Sequence, residues 1–207
     1  MKFLETLLHF DQYFGAIAQS AGFWTYFILF AVVFCETGLV VTPFLPGDSL
    51  LFVAGTFAAT DVLNVGLLWL VLAVACIVGD TVNYHIGFAL GKKVFKEDSR
   101  WFKKKYLRKT ELFYEKYGRK TIILARFIPI VRTFAPFVAG AARMDYKVFL
   151  LFNVIGGLFW VSLFTFAGYF FGALPFVQAH FEEVILGIIF VSILPPVFEY
   201  LKAKRKS

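Results

Sequence analysis

Arg126 and Arg132 stand on either side of Pro129 in a stretch, Thr121 to Ala142, that is otherwise almost wholly apolar. An arginine at bilayer depth costs roughly 2.5 to 17 kcal/mol, so such residues face a bundle interior or a wet cavity. A guanidinium fork grips phosphate oxygens two at a time and keeps its charge when buried. A phosphate-binding pair is therefore one reading of the two arginines, and internal pairing with acids is the other. Glu36 and Asp48 supply those acids, on either side of Thr42-Pro43-Phe44-Leu45-Pro46-Gly47. Glu36 has 24 uncharged residues behind it and 11 ahead, which makes it a candidate proton carrier, although an arginine partner would oppose protonation. Asp48 follows Pro-Gly and precedes Ser49-Leu50-Leu51, the place of a helix N-cap, and capping is compatible with a proton or substrate role. Asp80 and Asn83 lie one turn apart on a further apolar run, where they line a cavity or cap a neighbour. His85, a lone histidine, reads as a satisfied interior group before it reads as a proton relay. Tyr84 and Trp160 read as packing or interfacial aromatics.

The elements that must hold these residues are membrane elements. The 207 residues are 59% hydrophobic with 28 Phe, too apolar for an ordinary soluble domain. Mean hydropathy is +0.73. Gln12 to Cys35 is an uncharged run of 24 residues and Val148 to Phe181 one of 34, against the 20 or so that a spanning helix needs. A polytopic all-α membrane protein is expected. Lys2, Glu5 and Asp11 give the start a mixed charge without a small-residue cleavage pattern, so a retained N-terminus is expected. Cys35 and Cys76 lie in apolar runs and read as small buried hydrophobes before they read as a disulfide or metal pair. The net charge of +7 is concentrated in Lys92 to Lys120, with twelve Lys or Arg against four acids, and in the tail Lys202 to Lys206. Basic loops mark the cytoplasmic side and attract anionic inner-leaflet lipids, so no nucleic-acid partner is expected.

In chain order, residues 1–20 read as an interfacial amphipathic helix. Residues 23–59 break at Pro43 and Pro46-Gly47 into arms of roughly 27 and 18 Å, which suits a re-entrant hairpin better than two spans. Residues 62–90 read as a span, 92–120 as a basic cytosolic amphipathic segment, 121–142 as a second hairpin, 146–171 and 184–201 as two further spans, and 202–207 as a basic tail. Charge parity then opens the first hairpin outward and the second inward, and returns the C-terminus to the cytoplasm. The halves also echo each other: Phe44-Leu-Pro46 matches Phe127-Ile-Pro129, and Val53-Ala-Gly55 matches Val138-Ala-Gly140. Inverted repeats with broken helices that meet at mid-membrane are typical of secondary transporters.

The chain resembles the DedA family, also called the SNARE-associated or VTT-domain family. The residues that carry the resemblance are Glu36 with Pro46-Gly47-Asp48-Ser49, Gly79-Asp80-x-x-Asn83-Tyr84-x-Ile86-Gly87, Arg126-Phe-x-Pro129-x-x-Arg132, Ala139-Gly140 with Met144, and Gly157-x-x-Trp160. Around 34–55 and 121–140 the wording is most similar to the member that gives the family its name. The resemblance implies a single domain over 1–207, with two opposed re-entrant hairpins, about three full spans and an inner-membrane location. It also implies flipping of polyprenyl phosphate carriers or scrambling of phospholipids, and links to proton motive force, drug tolerance and envelope homeostasis. Family residues carried over by position are Glu36, Asp48, Arg126 and Arg132. Ile130 departs from the glycine that many members have after the proline.

The expected function is translocation of an anionic lipid carrier, undecaprenyl phosphate first. Arg126 and Arg132 would hold the phosphate, Glu36 and Asp48 would couple protons, and Asp80 and Asn83 would line the cavity. The rivals are a proton-coupled exporter of small cations or drugs, a phospholipid scramblase and a non-transporting membrane organiser. An enzyme is not expected, because His9, His85 and His180 are scattered and no nucleophile-base or paired-carboxylate constellation is legible. No cofactor or metal is called for, and a homo-oligomer is compatible with the sequence.

Overall fold

The computed structural model describes residues 22–39, 47–94, 122–123, 126, 129–180 and 183–188. Among these the chain is all-helical: α1 (Trp24–Gly38), α2 (Gly47–Ala59), α3 (Val65–Val94), α4 (Pro129–Ala141), α5 (Tyr146–Phe171) and α6 (Pro175–Ala179), with a further helical turn at 183–188. Residues 1–21, 40–46, 95–121, 124–125, 127–128, 181–182 and everything beyond 188 lie outside the described residues. The interfacial helix, most of the basic segment, most of the last span and the tail fall there.

Two long apolar helices form the frame. α3 over Val65–Leu90 and α5 over Tyr146–Phe171 are the two described helices long and apolar enough to cross a membrane. Each starts on a side-chain cap: Asn64 Oδ1 accepts from Leu67 N at 2.9 Å, and Asp145 Oδ1 from Val148 N at 3.1 Å. They run antiparallel, for Trp69 Nε1 donates to Ser162 Oγ at 2.9 Å, Asn153 Nδ2 donates to the Ile77 carbonyl at 3.1 Å, and Tyr84 stacks on Phe149.

Three short helices line this frame, and their contacts fix their directions. α1 follows α3: the Tyr26 hydroxyl accepts from Asn64 N at one end, and Gly38 lies against the Gly79 backbone at the other. α2 follows α5, from Trp160 beside Asp48 to Gly172 beside Thr56. Since α3 and α5 are antiparallel, α1 and α2 are too. Their outer ends meet near the start of α3 and their inner ends reach its middle. α4 begins on Pro129, suited to a first helical position because it has no N–H to satisfy, and follows α3 toward its far end. Thr133 lies at Asn83, and Phe137 at Gly87.

The echo in the sequence is an echo in packing. A Cβ on Gly55 would strike the Thr165 carbonyl, and one on Gly140 the Tyr84 carbonyl; one on Gly168 would strike the Phe52 carbonyl, and one on Gly87 the Phe137 carbonyl. Each short helix carrying Val-Ala-Gly thus locks backbone to backbone onto the long helix of the other half, the close approach that small residues permit in lipid.

Polarity runs opposite to that of a water-soluble protein. Leu70, Val74, Leu151, Ile155, Phe159 and Leu163 are exposed along the long helices, while Glu36, Asp48, Asp80, Arg126 and Arg132 are buried. Outside a bilayer such a surface would be one large apolar patch.

Candidate functional site

The inner ends of α1 and α2 meet the start of α4 and the middle of α3, and there the five buried charges gather. On one side Arg132 lies between two acids from different helices. Its Nη1 donates to Asp48 Oδ1 at 3.0 Å, and its Nη2 pairs with Glu36 Oε1. Glu36 Oε1 also accepts from Gly47 N at 3.1 Å, so the end of α1 and the start of α2 are tied through one carboxylate. A Cβ at Gly47 would overlap that carboxylate, which is why glycine stands just ahead of Asp48. Asp48, in the first turn of α2, lies at the positive end of that helix. Trp160 of α5 donates from Nε1 to Asp48 Oδ1 at 2.8 Å while its ring lies 4.6 Å from the Arg132 guanidinium carbon.

On the other side Arg126 has a different set of partners. Its Nη2 pairs with Asp80 Oδ2 and with Asn153 Oδ1, and reaches the Asn153 carbonyl at 3.2 Å; its Nη1 lies 2.7 Å from Cys76 Sγ. Gly156 opens the space: a Cβ there would stand 3.0 Å from the Cδ and Nε of Arg126. Asn83 ties the two sides, since its Nδ2 donates to the carbonyls of Thr37, beside Glu36, and Thr133, beside Arg132, at 2.9 and 2.8 Å. The two halves form one electrostatic unit, for Asp80 is within coulombic reach of both arginines and Glu36 within that of Asp48 and Asp80.

Glu36, Asp48, Asp80, Asn83, Arg126 and Arg132 are thus gathered in one place. The grouping within it differs from the simplest sequence expectation: Arg132 takes both Glu36 and Asp48, and Arg126 takes Asp80. Three participants carried little signal. Asn153 is a polar amide within the apolar stretch just ahead of Gly156-Gly157, a hint that its amide is needed. Trp160 and Cys76 resemble packing residues in sequence and turn out to touch charged groups. His85 is exposed rather than interior, with its Nδ1 at 2.7 Å from the Thr81 carbonyl, and Tyr84 is buried with its hydroxyl on the Met144 carbonyl.

The cluster leaves hydrogen-bonding capacity unused. Among the described residues, Glu36 Oε2, Asp80 Oδ1, Asn83 Oδ1 and the Nε atoms of both arginines are buried without a hydrogen-bond partner. Each such atom costs about 1 to 3 kcal/mol, so stability alone is a poor account of the arrangement. Chemically the site offers two fixed guanidinium forks, Arg132 held by the carboxylates of Glu36 and Asp48 and Arg126 by that of Asp80.

A sequence model of the VTT domain matches residues 45–170, more than half of the chain. The chain belongs to the VTT-domain family. It is 56% identical over 205 residues to Protein DedA of Escherichia coli (strain K12), covering 98% of this chain and 94% of that protein. It is also 47% identical over 177 residues to an uncharacterized membrane protein of Mycobacterium tuberculosis, covering 84% of this chain and 78% of the relative. Identity to the inner membrane protein YghB of Escherichia coli (strain K12) is 35% over 171 residues, 82% of this chain and 77% of the relative. No solved structure gives a significant match. This VTT-domain chain is a membrane protein, and α2 to α5, which carry all the buried charges except Glu36 and Arg126, fall inside the matched region or at its edge.

Proposed function

We propose that the chain is a membrane transporter that moves an anionic lipid carrier, undecaprenyl phosphate, across the cytoplasmic membrane. Arg126 and Arg132 take the phosphate, Glu36 and Asp48 carry protons, and Asp80 and Asn83 line the site. The observation that carries the reading is the burial of two arginines at mid-bundle, Arg132 on the carboxylates of Glu36 from α1 and Asp48 from α2, and Arg126 on that of Asp80 from α3. A guanidinium fork suits a phosphate, and its depth suits a headgroup that must pass the hydrocarbon while its tail stays in lipid. The antiparallel α1 and α2, and α4 beginning at mid-bundle, support two opposed re-entrant hairpins, with about three full spans once the segment beyond 188 is counted. We place the protein in the inner membrane with a cytoplasmic C-terminus, on the positions of its basic residues.

In proteoliposomes, Arg126→Ala and Arg132→Ala each abolish flipping of polyprenyl phosphate while the protein still inserts. Normal flipping by both variants ends the proposal. A second reading, a proton-coupled exporter of small cations or drugs, is favoured by the excess of three buried acids over two arginines. It requires drug-dependent proton flux, and lipid movement without drug counts against it. We propose transport rather than an enzymatic reaction for the same site.

A further inference from the structure

We propose that Asp80 is the internal ligand that a phosphate headgroup displaces from Arg126, and that this exchange obliges the buried cluster to take up protons. The inference rests on the phosphate-carrier reading and adds to it a residue and a coupling rule.

The first step is occupancy. Every terminal nitrogen of the two guanidinium groups already has a partner: Asp48 and Glu36 on Arg132, and Asp80, Asn153 and Cys76 on Arg126. Only the two Nε atoms are without one. Both hydrogens of Arg126 Nη2 are spent, one on Asp80 and one on Asn153, so a phosphate held bidentately through that nitrogen must replace one of these two acceptors. On Arg126 the replaceable acceptor is Asp80. Asn153 is neutral, holds Nη2 through both its amide and its backbone oxygen, and is itself anchored by donation from Nδ2 to the Ile77 carbonyl. It keeps Arg126 in place when the carboxylate leaves. Asp80 has no such second anchor, for Oδ2 is spent on Arg126 and Oδ1 has no partner.

The second step is charge. α1 contributes Glu36, α2 Asp48, α3 Asp80 and α4 Arg132; Arg126 completes the set, while α5 brings only the neutral Asn153 and Trp160, and Cys76 is counted as its thiol. Among the described residues, three carboxylates against two guanidiniums leave one negative charge in excess before any ligand arrives. A phosphomonoester dianion would deepen the imbalance to three, in a place where uncompensated charge is expensive. Protons are the available compensation. With all three carboxyls protonated, the dianion and the two arginines balance. Binding is then linked to proton uptake, and affinity rises as pH falls. Asp80→Asn removes both the competing charge and one of the titrating groups.

The test uses the full chain in detergent and farnesyl phosphate as the probe, titrated calorimetrically from pH 7.5 to 9, where the phosphate, with its second pKa of about 6, stays dianionic. Repeating each titration in two buffers of different ionisation enthalpy reads the protons taken up. Wild type is expected to take up protons on binding and to bind more tightly as pH falls. Asp80→Asn is expected to bind several-fold more tightly than wild type at pH 9 and to vary less with pH. Wild-type binding without proton uptake overturns the proposal whether or not the variant folds. A folded, monodisperse Asp80→Asn with wild-type affinity and wild-type pH dependence overturns it equally. A wild type that binds no farnesyl phosphate at any pH removes the carrier reading, and this one with it.

Discussion

Trp160 shows how much a single residue does in this cluster and how little of that its neighbours in sequence reveal. Its indole N–H donates to Asp48, and its ring faces the guanidinium of Arg132, so one side chain supports both members of an ion pair. A donor lost to a buried carboxylate costs about 1 to 3 kcal/mol, whereas the aromatic face survives replacement by another ring. Trp160→Phe is therefore expected to lower stability by about that amount, read as an earlier midpoint of unfolding in detergent. An unchanged midpoint would mean that the ring merely fills space. In sequence the residue sits among Gly157, Phe159 and Val161 and reads as packing, because an aromatic in an apolar run carries no mark of the charge it will meet. The ionisable residues are different. A charge at bilayer depth is costly enough to announce itself, and Glu36, Asp48, Asp80, Arg126 and Arg132 were all legible for that reason. Their pairing was not. Which acid meets which arginine depends on how far each short helix reaches along α3, and residue types do not encode that distance.

For the helices, the all-α class follows from the long uncharged runs, of which Val148 to Phe181 holds most of the α5 span, and the α3 span is legible in spite of Asp80, whereas the caps at Asn64 and Asp145 emerge only in the fold. The Val-Ala-Gly echo is a weaker signal in sequence than in space, where it marks the same contact made twice. Gly87 on α3 takes the Phe137 carbonyl of α4, and Gly168 on α5 takes the Phe52 carbonyl of α2. If these are equivalent joints, a methyl group added to either should separate its helix pair at a similar cost, about 1 to 3 kcal/mol for overpacking without strain relief. Gly87→Ala and Gly168→Ala are accordingly expected to shift the detergent unfolding midpoint by comparable amounts. Gly187→Ala is the control, because nothing lies within 4 Å of a Cβ at that position. A large loss at one joint and none at the other would show that the two halves do not share a packing rule.

At the scale of the whole molecule, the directions of the helices make a prediction that the charge cluster cannot make alone. α1 starts, α2 ends and α3 starts at one end of the bundle, where Thr60 and Asp61 are exposed; α4 ends and α5 starts at the other, where Arg143 is exposed. With α3 read as a span, those two turns lie on opposite faces of the membrane, whatever the depth of the short helices. On the topology proposed above, the basic residues between 92 and 120 put the Arg143 end in the cytoplasm. Single cysteines at Thr60 and Arg143, scored over the background of the native Cys35 and Cys76, should then react differently with a membrane-impermeant maleimide. In intact cells Thr60→Cys should label and Arg143→Cys should not, and in inside-out vesicles the pattern should reverse. Labelling of both from the same side would place α1, α2 and α4 on one face. The acids and arginines that meet at mid-bundle would then have no route by which a headgroup leaves on the far side.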